Sequence, residues 1–275
     1  MIIMNGKEVK QKIFNQLKNI HYSTPLGLAV LQVGNDEASN VYIKQKRKMA
    51  EELGFIFIHK VFSDDATQEE IITEIQKLNE DDSIDGILVQ MPLPKHLDSS
   101  VIQNSIHPNK DVDGLTQINI GRLLSNKDGL IPCTPKGIVD LLEYYHISVD
   151  GKNVVVIGRS LLVGKPTANL LLNKNATVTV CHSKTENIKE YTLNADIVIV
   201  AVGKAGFLTE DMVSDNVIVI DVGINRIDGK LYGDVDFDNV SKKASYITPV
   251  PGGVGPMTVA ELACNVYKAH DLKNK

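Results

Sequence analysis

The stretch VVVIGRSLLVGKP, residues 154–166, sets a short apolar run against a turn punctuated by Gly158 and Gly164 and closes on Pro166. Residues 154–157 read as a buried strand, and the turn behind them opens a helix. A pyrophosphate needs that order of strand, glycine turn and helix N-terminus, because bare backbone lets the ligand approach and unpaired N–H groups point at it. The middle glycine of G-x-G-x-x-G is missing, since Ser160 stands after Arg159. Taken alone, the turn is therefore equally a plain strand-to-helix junction.

The next strand-like run, TVTVCH (177–182), continues into CHSKT, residues 181–185. A site for NAD ordinarily carries Asp or Glu at this point, accepting a hydrogen bond from the ribose 2′-hydroxyl. No acid stands here, and Arg159 faces the same region with hydroxyl side chains beside it. A guanidinium with hydroxyl donors suits a 2′-phosphate dianion, which a carboxylate would repel. The residues favour NADP over NAD.

Outward from the turn, GKNVVVIG (151–158), DIVIVAVG (196–203) and NVIVIDVG (216–223) form one set of strands with room for helices between. An earlier set comprises LGLAVLQVG (26–34), FIFIHKVF (55–62) and IDGILVQ (84–90), separated by amphipathic stretches such as EEIITEIQKL, apolar at 71, 72, 75 and 78. Alternating strands and helices predict parallel sheets, so the chain is α/β and built from two such units. Between the sets, PCTPKGIVDLLEYY (132–145) predicts a connecting helix, with Thr134 as cap, Pro135 at the first position and Ile138, Val139, Leu141, Leu142 and Tyr145 as its buried stripe. A last helical pattern, MTVAELACNVYKAH (257–270), follows the loop TPVPGGVGPM.

A chain of 275 residues, 43% hydrophobic and 23% charged, has material for two modest cores. Its formal charge of -5 offers no polycationic face, which excludes nucleic acid as a partner, although Lys44, Lys46, Arg47 and Lys48 make a local basic run. The cysteines, Cys133, Cys181 and Cys264, are odd in number and far apart, which points to neither a disulfide framework nor a metal site and fits a reducing cytoplasm. No uncharged apolar run reaches the roughly 20 residues that span a bilayer, and the first residues lack a basic region followed by a long apolar one. A cytoplasmic protein away from membranes is expected.

In SNVYIKQKRKMAEELG (39–54), Tyr42 precedes Lys46 by one helical turn. Tyr-x-x-x-Lys suggests a short-chain dehydrogenase, but there the nucleotide turn precedes the pair within one domain, and here the order is reversed. Drawn as a helix, the stretch puts Tyr42, Ile43, Lys46, Met49, Ala50 and Leu53 on one stripe and stops at Gly54. Lys46 is the one charge on that stripe. Either it snorkels its ammonium to water, or partial desolvation lowers its pKa enough for base chemistry, with Lys44, Arg47 and Lys48 pushing the same way. Gln90 ends a strand just before MPLP, where open α/β sheets bind ligands and where ordinary loop residues also stand. In HPNKDVDG (107–114), Asp111 and Asp113 fit turn formers, cation ligands or substrate anchors alike.

Together VGNDEASNVYIKQK, DGILVQMPLP, HPNKDVDG, PCTPKGI, GRSLLVGKP, CHSKT, DVGIN and PVPGGVGPMT resemble the bifunctional methylenetetrahydrofolate dehydrogenase and methenyltetrahydrofolate cyclohydrolase family over almost the whole chain. Met91 in VQMPLP stands where that family usually has leucine, a difference of packing. The resemblance implies an N-terminal α/β parallel-sheet domain that binds folate, 1–134 plus 257–275, and a Rossmann-like NADP-binding domain, 135–256, with a cleft between them. It implies Tyr42, Lys46, Gln90 and Asp113 as catalytic and folate-site residues, and Pro251, Gly252 and Gly253 beside the pterin. Gly158, Arg159, Ser160, Gly164, Ser183 and Ile224 match its cofactor site.

The implied chemistry is oxidation of 5,10-methylenetetrahydrofolate with NADP, then hydrolysis of the methenyl product to 10-formyltetrahydrofolate. Lys46 would move protons in the hydrolytic step, Tyr42 would pack against the substrate, Gln90 would hold the lysine and water, and Asp113 would accept from the pterin N–H groups. The resemblance also implies a homodimer in one-carbon metabolism, feeding purine biosynthesis. Two alternatives remain beside it. One is a shikimate-dehydrogenase-like enzyme, which also sets a small α/β domain before a nucleotide domain and uses Lys and Asp. The other is a catalytically silent binder of NADP or folate, against which the joint presence of Lys46, Gln90 and Asp113 weighs.

Overall fold

The computed structural model describes residues 1–273, the side chain of Ala38 apart. In chain order the strands are β1 (Ile2–Ile3), β2 (Gly27–Val33), β3 (Ile56–Phe62), β4 (Gly86–Val89), β5 (Asn153–Ile157), β6 (Thr177–Cys181), β7 (Ile197–Val200), β8 (Ile218–Asp221), β9 (Asn225–Ile227), β10 (Lys230–Tyr232) and β11 (Tyr246–Ile247). They fall into two compact units, one of Ile13–Cys133 with Val259–Lys275 and one of Met1–Lys12 with Thr134–Thr258.

The first of these is a three-stranded parallel sheet in the order β3-β2-β4. All seven residues of β2 are buried, so alternate side chains feed two cores. Leu28 and Val30 join Met49 and Ala50 of the helix Glu37–Leu53 and Val259, Leu262 and Val266 of the final helix, Val254–Lys273. Ala29, Leu31 and Val33 join Ile71, Ile75 and Leu78 of the helix Gln68–Glu80. Each of the fully buried Val, Leu, Ile and Met side chains contributes about 1.5–3 kcal/mol. The helix Gln68–Glu80 opens on a capping box between Thr67 and Glu70. Glu37–Leu53 starts two residues before the predicted stretch, because the Asp36 carboxylate accepts from the Ser39 N–H at 2.7 Å, and it stops where expected, at a left-handed Gly54.

The second unit is a parallel sheet in the order β1-β11-β8-β7-β5-β6, with the antiparallel hairpin β9–β10 beside it. The strands leave β5 in opposite directions, to β6 on one side and β7 on the other, which makes the C-terminal end of β5 a topological switch point. Residues 1–12 belong to this unit because β1 pairs with β11, whereas the sequence division had put them with residues up to 134. A strand of two residues carries no periodicity, so nothing local announces it.

The connecting helix is Cys133–Tyr144, and its start corrects the expected cap. Thr134 lies inside the first turn, and its hydroxyl pairs with that of Thr258 at 2.8 Å. Tyr145 lies beyond the helix, and its hydroxyl accepts from the Asn5 N–H at 2.7 Å. The final helix starts at Val254, three residues ahead of the predicted Met257, with Pro256 in its first turn. Among the described residues, no helix is long and apolar enough to cross a membrane.

Candidate functional site

On the three-stranded unit, the helix Glu37–Leu53 buries Ile43, Met49 and Ala50 and thereby turns Lys46 toward the C-terminal end of β4. Gln90 follows that strand directly, and its own N–H bonds to the Leu31 carbonyl at 2.8 Å. The Lys46 ammonium donates to Gln90 Oε1 at 2.8 Å, while Gln90 Nε2 donates to the Met91 carbonyl at 2.7 Å. The amide is therefore fixed in the orientation that presents an acceptor to the lysine. Tyr42, one turn before, is 40% exposed, and its hydroxyl has no hydrogen-bond partner among the described residues. It stands at the rim of the stripe rather than in its apolar part.

Burial pushes the Lys46 pKa below the ordinary lysine value, while Asp113 and then Cys133 pull it back up. Lys44, Arg47 and Lys48 are not among the causes, which corrects the expectation drawn from the sequence. Arg47 lies over the Phe57 ring at 4.9 Å, on the outward side of the helix. Asp113 shows the mirror image: burial raises its pKa, and Lys46 and a hydrogen bond from Cys133 lower it. Lysine and aspartate thus share a poorly solvated place in which each supports the charge of the other. The Cys133 thiol is pushed well above its usual value by burial, then by Asp113 and Glu261, so it stays a donor. It reaches the Val112 carbonyl at 3.3 Å.

The two aspartates of HPNKDVDG part company. Asp111 is fully buried and accepts from Gln103 at 3.1 Å, the Thr116 N–H at 2.8 Å and Asn119 at 2.9 Å. Burial raises it to about 6 against those bonds, and its role is to tie its own loop together. Asn265 of the final helix clamps the same loop, donating to the carbonyls of Val112 and Ile131 at 2.8 Å each. Asp113 is left beside Lys46.

On the six-stranded unit, Gly158 has φ 127 and carries the Cys181 carbonyl's partner N–H at 2.9 Å, which locks the end of β5 to the end of β6. A Cβ on Gly158 would lie 2.3 Å from the Ala201 carbonyl, and one on Gly164 would lie 2.2 Å from the Gly158 carbonyl. Both glycines are required by close packing of the turn. The Ser160 hydroxyl accepts from the Val163 N–H at 3.1 Å and the Gly164 N–H at 3.4 Å, so it shapes the turn. Among the described residues, no backbone N–H of residues 159–162 has a protein acceptor.

Arg159 and Ser183 are both exposed, at the C-terminal ends of the paired strands β5 and β6. The segment after β6 is a closed turn, in which Thr185 bonds back to His182 through backbone at 2.8 Å and through its hydroxyl at 2.9 Å. Ile224 follows β8 and is 46% exposed. These residues fit a phosphorylated dinucleotide: open N–H groups for the pyrophosphate, a free guanidinium and hydroxyl for the 2′-phosphate, and an apolar contact. Pro251 and Gly252 line a depression with Asn5, Lys7, Glu8 and Tyr145, and Gly253 follows them.

Residues 4–113 match the catalytic domain of the tetrahydrofolate dehydrogenase/cyclohydrolase family, and residues 132–274 match its NAD(P)-binding domain. The chain belongs to this family. It is 52% identical over 279 residues to the bifunctional protein FolD of Campylobacter concisus, covering 99% of each chain. The crystal structure of the bifunctional FolD methylenetetrahydrofolate dehydrogenase/cyclohydrolase from Campylobacter jejuni superposes with a TM-score of 0.95 at 47% identity, covering 99% of both chains. The dehydrogenase-cyclohydrolase of Trypanosoma brucei, complexed with NADP cofactor and inhibitor, superposes with a TM-score of 0.94 at 35% identity, covering 100% of this chain and 98% of that one.

Membership decides against the shikimate-dehydrogenase-like alternative. Within a tetrahydrofolate dehydrogenase/cyclohydrolase, the sequence reading passed over Cys133 and Glu261, which join the electrostatics around Lys46 and Asp113. It also passed over Gln32, buried on β2, which joins Asn40 at 3.0 Å to His59 at 2.9 Å. The sequence signal for Cys133 is its place in PCTPKGI, one of the stretches that carry the family resemblance.

Proposed function

We propose that the chain oxidises 5,10-methylenetetrahydrofolate to the methenyl form with NADP and hydrolyses that product to 10-formyltetrahydrofolate. The observation that carries this reading is Lys46 held at 2.8 Å from Gln90 beside Asp113. The three-stranded unit, 13–133 with 259–275, serves as the folate-binding catalytic domain, and the six-stranded unit, 1–12 with 134–258, as the NADP-binding domain. When bound, NADP accepts hydride from the methylene bridge; the chain needs no strong base for that step and has only to position the folate. The product is a resonance-stabilised cation, and water attacks its bridging carbon. Lys46, with its lowered pKa, takes the proton from that water and returns one to the departing ring nitrogen.

Gln90 holds the lysine amine and the water, Tyr42 stacks on the substrate from the rim, and Asp113 accepts from the pterin's amino and ring N–H groups. Pro251, Gly252 and Gly253 flank the pterin. Gly158 and Gly164 let the backbone approach the pyrophosphate, Ser160 holds that turn, Arg159 and Ser183 take the 2′-phosphate, and Ile224 makes an apolar contact with the cofactor. The test is an absorbance assay with purified protein: methenyl formation that needs NADP, followed by its hydrolysis. Failure of both reactions would leave only a silent binder.

Two further parts of the reading are separate. The chain acts as a homodimer, for which the unpaired outer edge of β3, with Ile56 and Val61 exposed, offers an apolar strand. A monomeric mass by light scattering would end that proposal. It works in the cytoplasm, consistent with free cysteines at 133, 181 and 264, and recovery of the native protein outside the cytoplasmic fraction would refute it.

A further inference from the structure

Two buried carboxylates on the six-stranded unit take no part in the chemistry described above, and both sit at the C-terminal edge of its sheet. Asp234 is fully buried, and four donors converge on it. Its Oδ2 accepts from the N–H groups of Val202 at 2.7 Å and Gly203 at 2.9 Å, and its Oδ1 from the Lys204 N–H at 2.8 Å and Asn225 Nδ2 at 2.9 Å. Val202, Gly203 and Lys204 lie in the loop after β7, and Asn225, directly after Ile224, opens β9. Asp221, 2% exposed, holds this arrangement from behind: it accepts from the N–H groups of Gly223 at 3.0 Å, Asp234 at 2.8 Å and Val235 at 3.0 Å. Neighbouring positions leave no slack, since a Cβ on Gly223 would lie 2.1 Å from the Asp234 carboxylate.

The loop after β7 is also what closes on the nucleotide turn. The Ala201 carbonyl lies 2.3 Å from where a Gly158 Cβ would be, and the Ala201 N–H bonds to the Ile157 carbonyl at 2.8 Å. One side chain therefore fixes both the loop that abuts the glycine turn and the start of β9, next to Ile224. A buried carboxylate is suited to this because both of its oxygens accept and neither donates. Desolvating it is tolerable only while all four donors are in place.

We infer that Asp234 is a positioning residue of the cofactor site, setting the loop after β7, which abuts the glycine turn, relative to the start of β9 next to Ile224, and so setting the affinity for NADP. The inference rests on the reading of that turn as the NADP site. Asp234→Asn keeps the shape and replaces one acceptor with a donor that faces backbone N–H groups, so at least one loop must shift. Displacing binding groups by about an ångström costs on the order of tenfold to a hundredfold.

The experiment uses the full-length protein and measures the Kd for NADP by calorimetry, the KM for NADP and kcat at saturating NADP. In Asp234→Asn, Kd and KM rise by about tenfold or more while kcat changes by less than about threefold, because the residues that handle folate are elsewhere. Asn225→Ala, which removes a single donor, raises Kd by about threefold. A folded Asp234→Asn protein that binds NADP within twofold of wild type, or that loses kcat as heavily as KM, overturns the inference. Should Asp234→Asn fail to fold, Asn225→Ala decides, and an unchanged Kd there overturns it. Wild-type protein that binds no NADP would overturn the cofactor reading itself, whereas wild-type binding with unaffected variants removes only the role of Asp234.

Discussion

Lys46 and Arg159 are both cations at the C-terminal edge of a parallel sheet, and their surroundings differ in every respect. Lys46 is half-buried, bonded to Gln90 at 2.8 Å and shifted by desolvation, with Asp113 and Cys133 opposing the shift. Arg159 is exposed and has neither a hydrogen bond nor a salt bridge among the described residues. The contrast matches the two roles proposed for them, proton transfer and recognition. A base near neutral pH requires a lysine that water does not fully solvate, and so a scaffold that holds it. Recognition of a dianion, the role proposed for Arg159, suits an always-charged guanidinium whose counter-charge arrives with the ligand.

The sharpest break of this contrast is Lys46→Met. Loss of a positioned acid or base costs about a hundredfold to ten-thousandfold, so methenyl hydrolysis should nearly stop. Hydride transfer, which deprotonates nothing, should persist, and methenyltetrahydrofolate should accumulate in the absorbance trace. Cyclohydrolase close to wild type, or both activities lost equally in a protein that folds and binds folate, would show that Lys46 has another task.

Asp113→Ala should follow, lowering both activities together by about a hundredfold, because both reactions use the same anchored pterin. Loss of one activity alone would separate Asp113 from pterin binding. The same variant sharpens the electrostatic side: Asp113 raises the Lys46 pKa, so its removal should move the pH limb of residual hydrolysis toward lower pH.

In the wild type the signs are distinct. A lowered Lys46 pKa makes the neutral amine available at lower pH than for a free lysine, so hydrolysis rises with pH through that value. The raised Asp113 pKa should put an acid limb on both activities, since protonation, at a pH above the usual carboxylate range, would remove the proposed anchor. Rate profiles of the two reactions should therefore share the acid limb and differ in the alkaline-rising one. Identical profiles would contradict the division of labour.

Arg159→Ala tests the other side of the contrast and should weaken NADP by about tenfold to a hundredfold while barely changing NAD, the loss being of charge-assisted bonds to the 2′-phosphate. Equal losses for both nucleotides would remove that assignment. The smallest expected effect is Asp36→Ala, which removes the cap of the helix carrying Tyr42 and Lys46 and should cost about 1 kcal/mol in denaturant unfolding. An unchanged midpoint would mean that packing alone fixes that helix.

Legibility followed the range of the interaction. Strands β2 to β8 were readable because apolar runs and their flanking turns are local, and Gly54 ended its helix as the pattern required. Thr134 was misread as a cap because the choice between capping and pairing with Thr258 lies 124 residues away. The two-residue strand β1 was invisible for the same reason: its partner β11 lies at the other end of the unit.

By itself the sequence determined the parallel α/β architecture, the placement of Tyr42 and Lys46 one turn apart, and the pattern of Arg159 in the glycine turn with no acid after β6, on which the proposed preference for a 2′-phosphate rests. These depend on period, spacing and charge within a few residues. Only the tertiary structure decided that Lys46 bonds Gln90 across 44 residues, that Asp111 is used up by Gln103, Thr116 and Asn119 while Asp113 stays beside the lysine, and that Asp234 ties the loop after β7 to the start of β9. Burial and partner choice are properties of the packed chain, and the pKa of a carboxylate or an amine is set by them rather than by its neighbours in sequence.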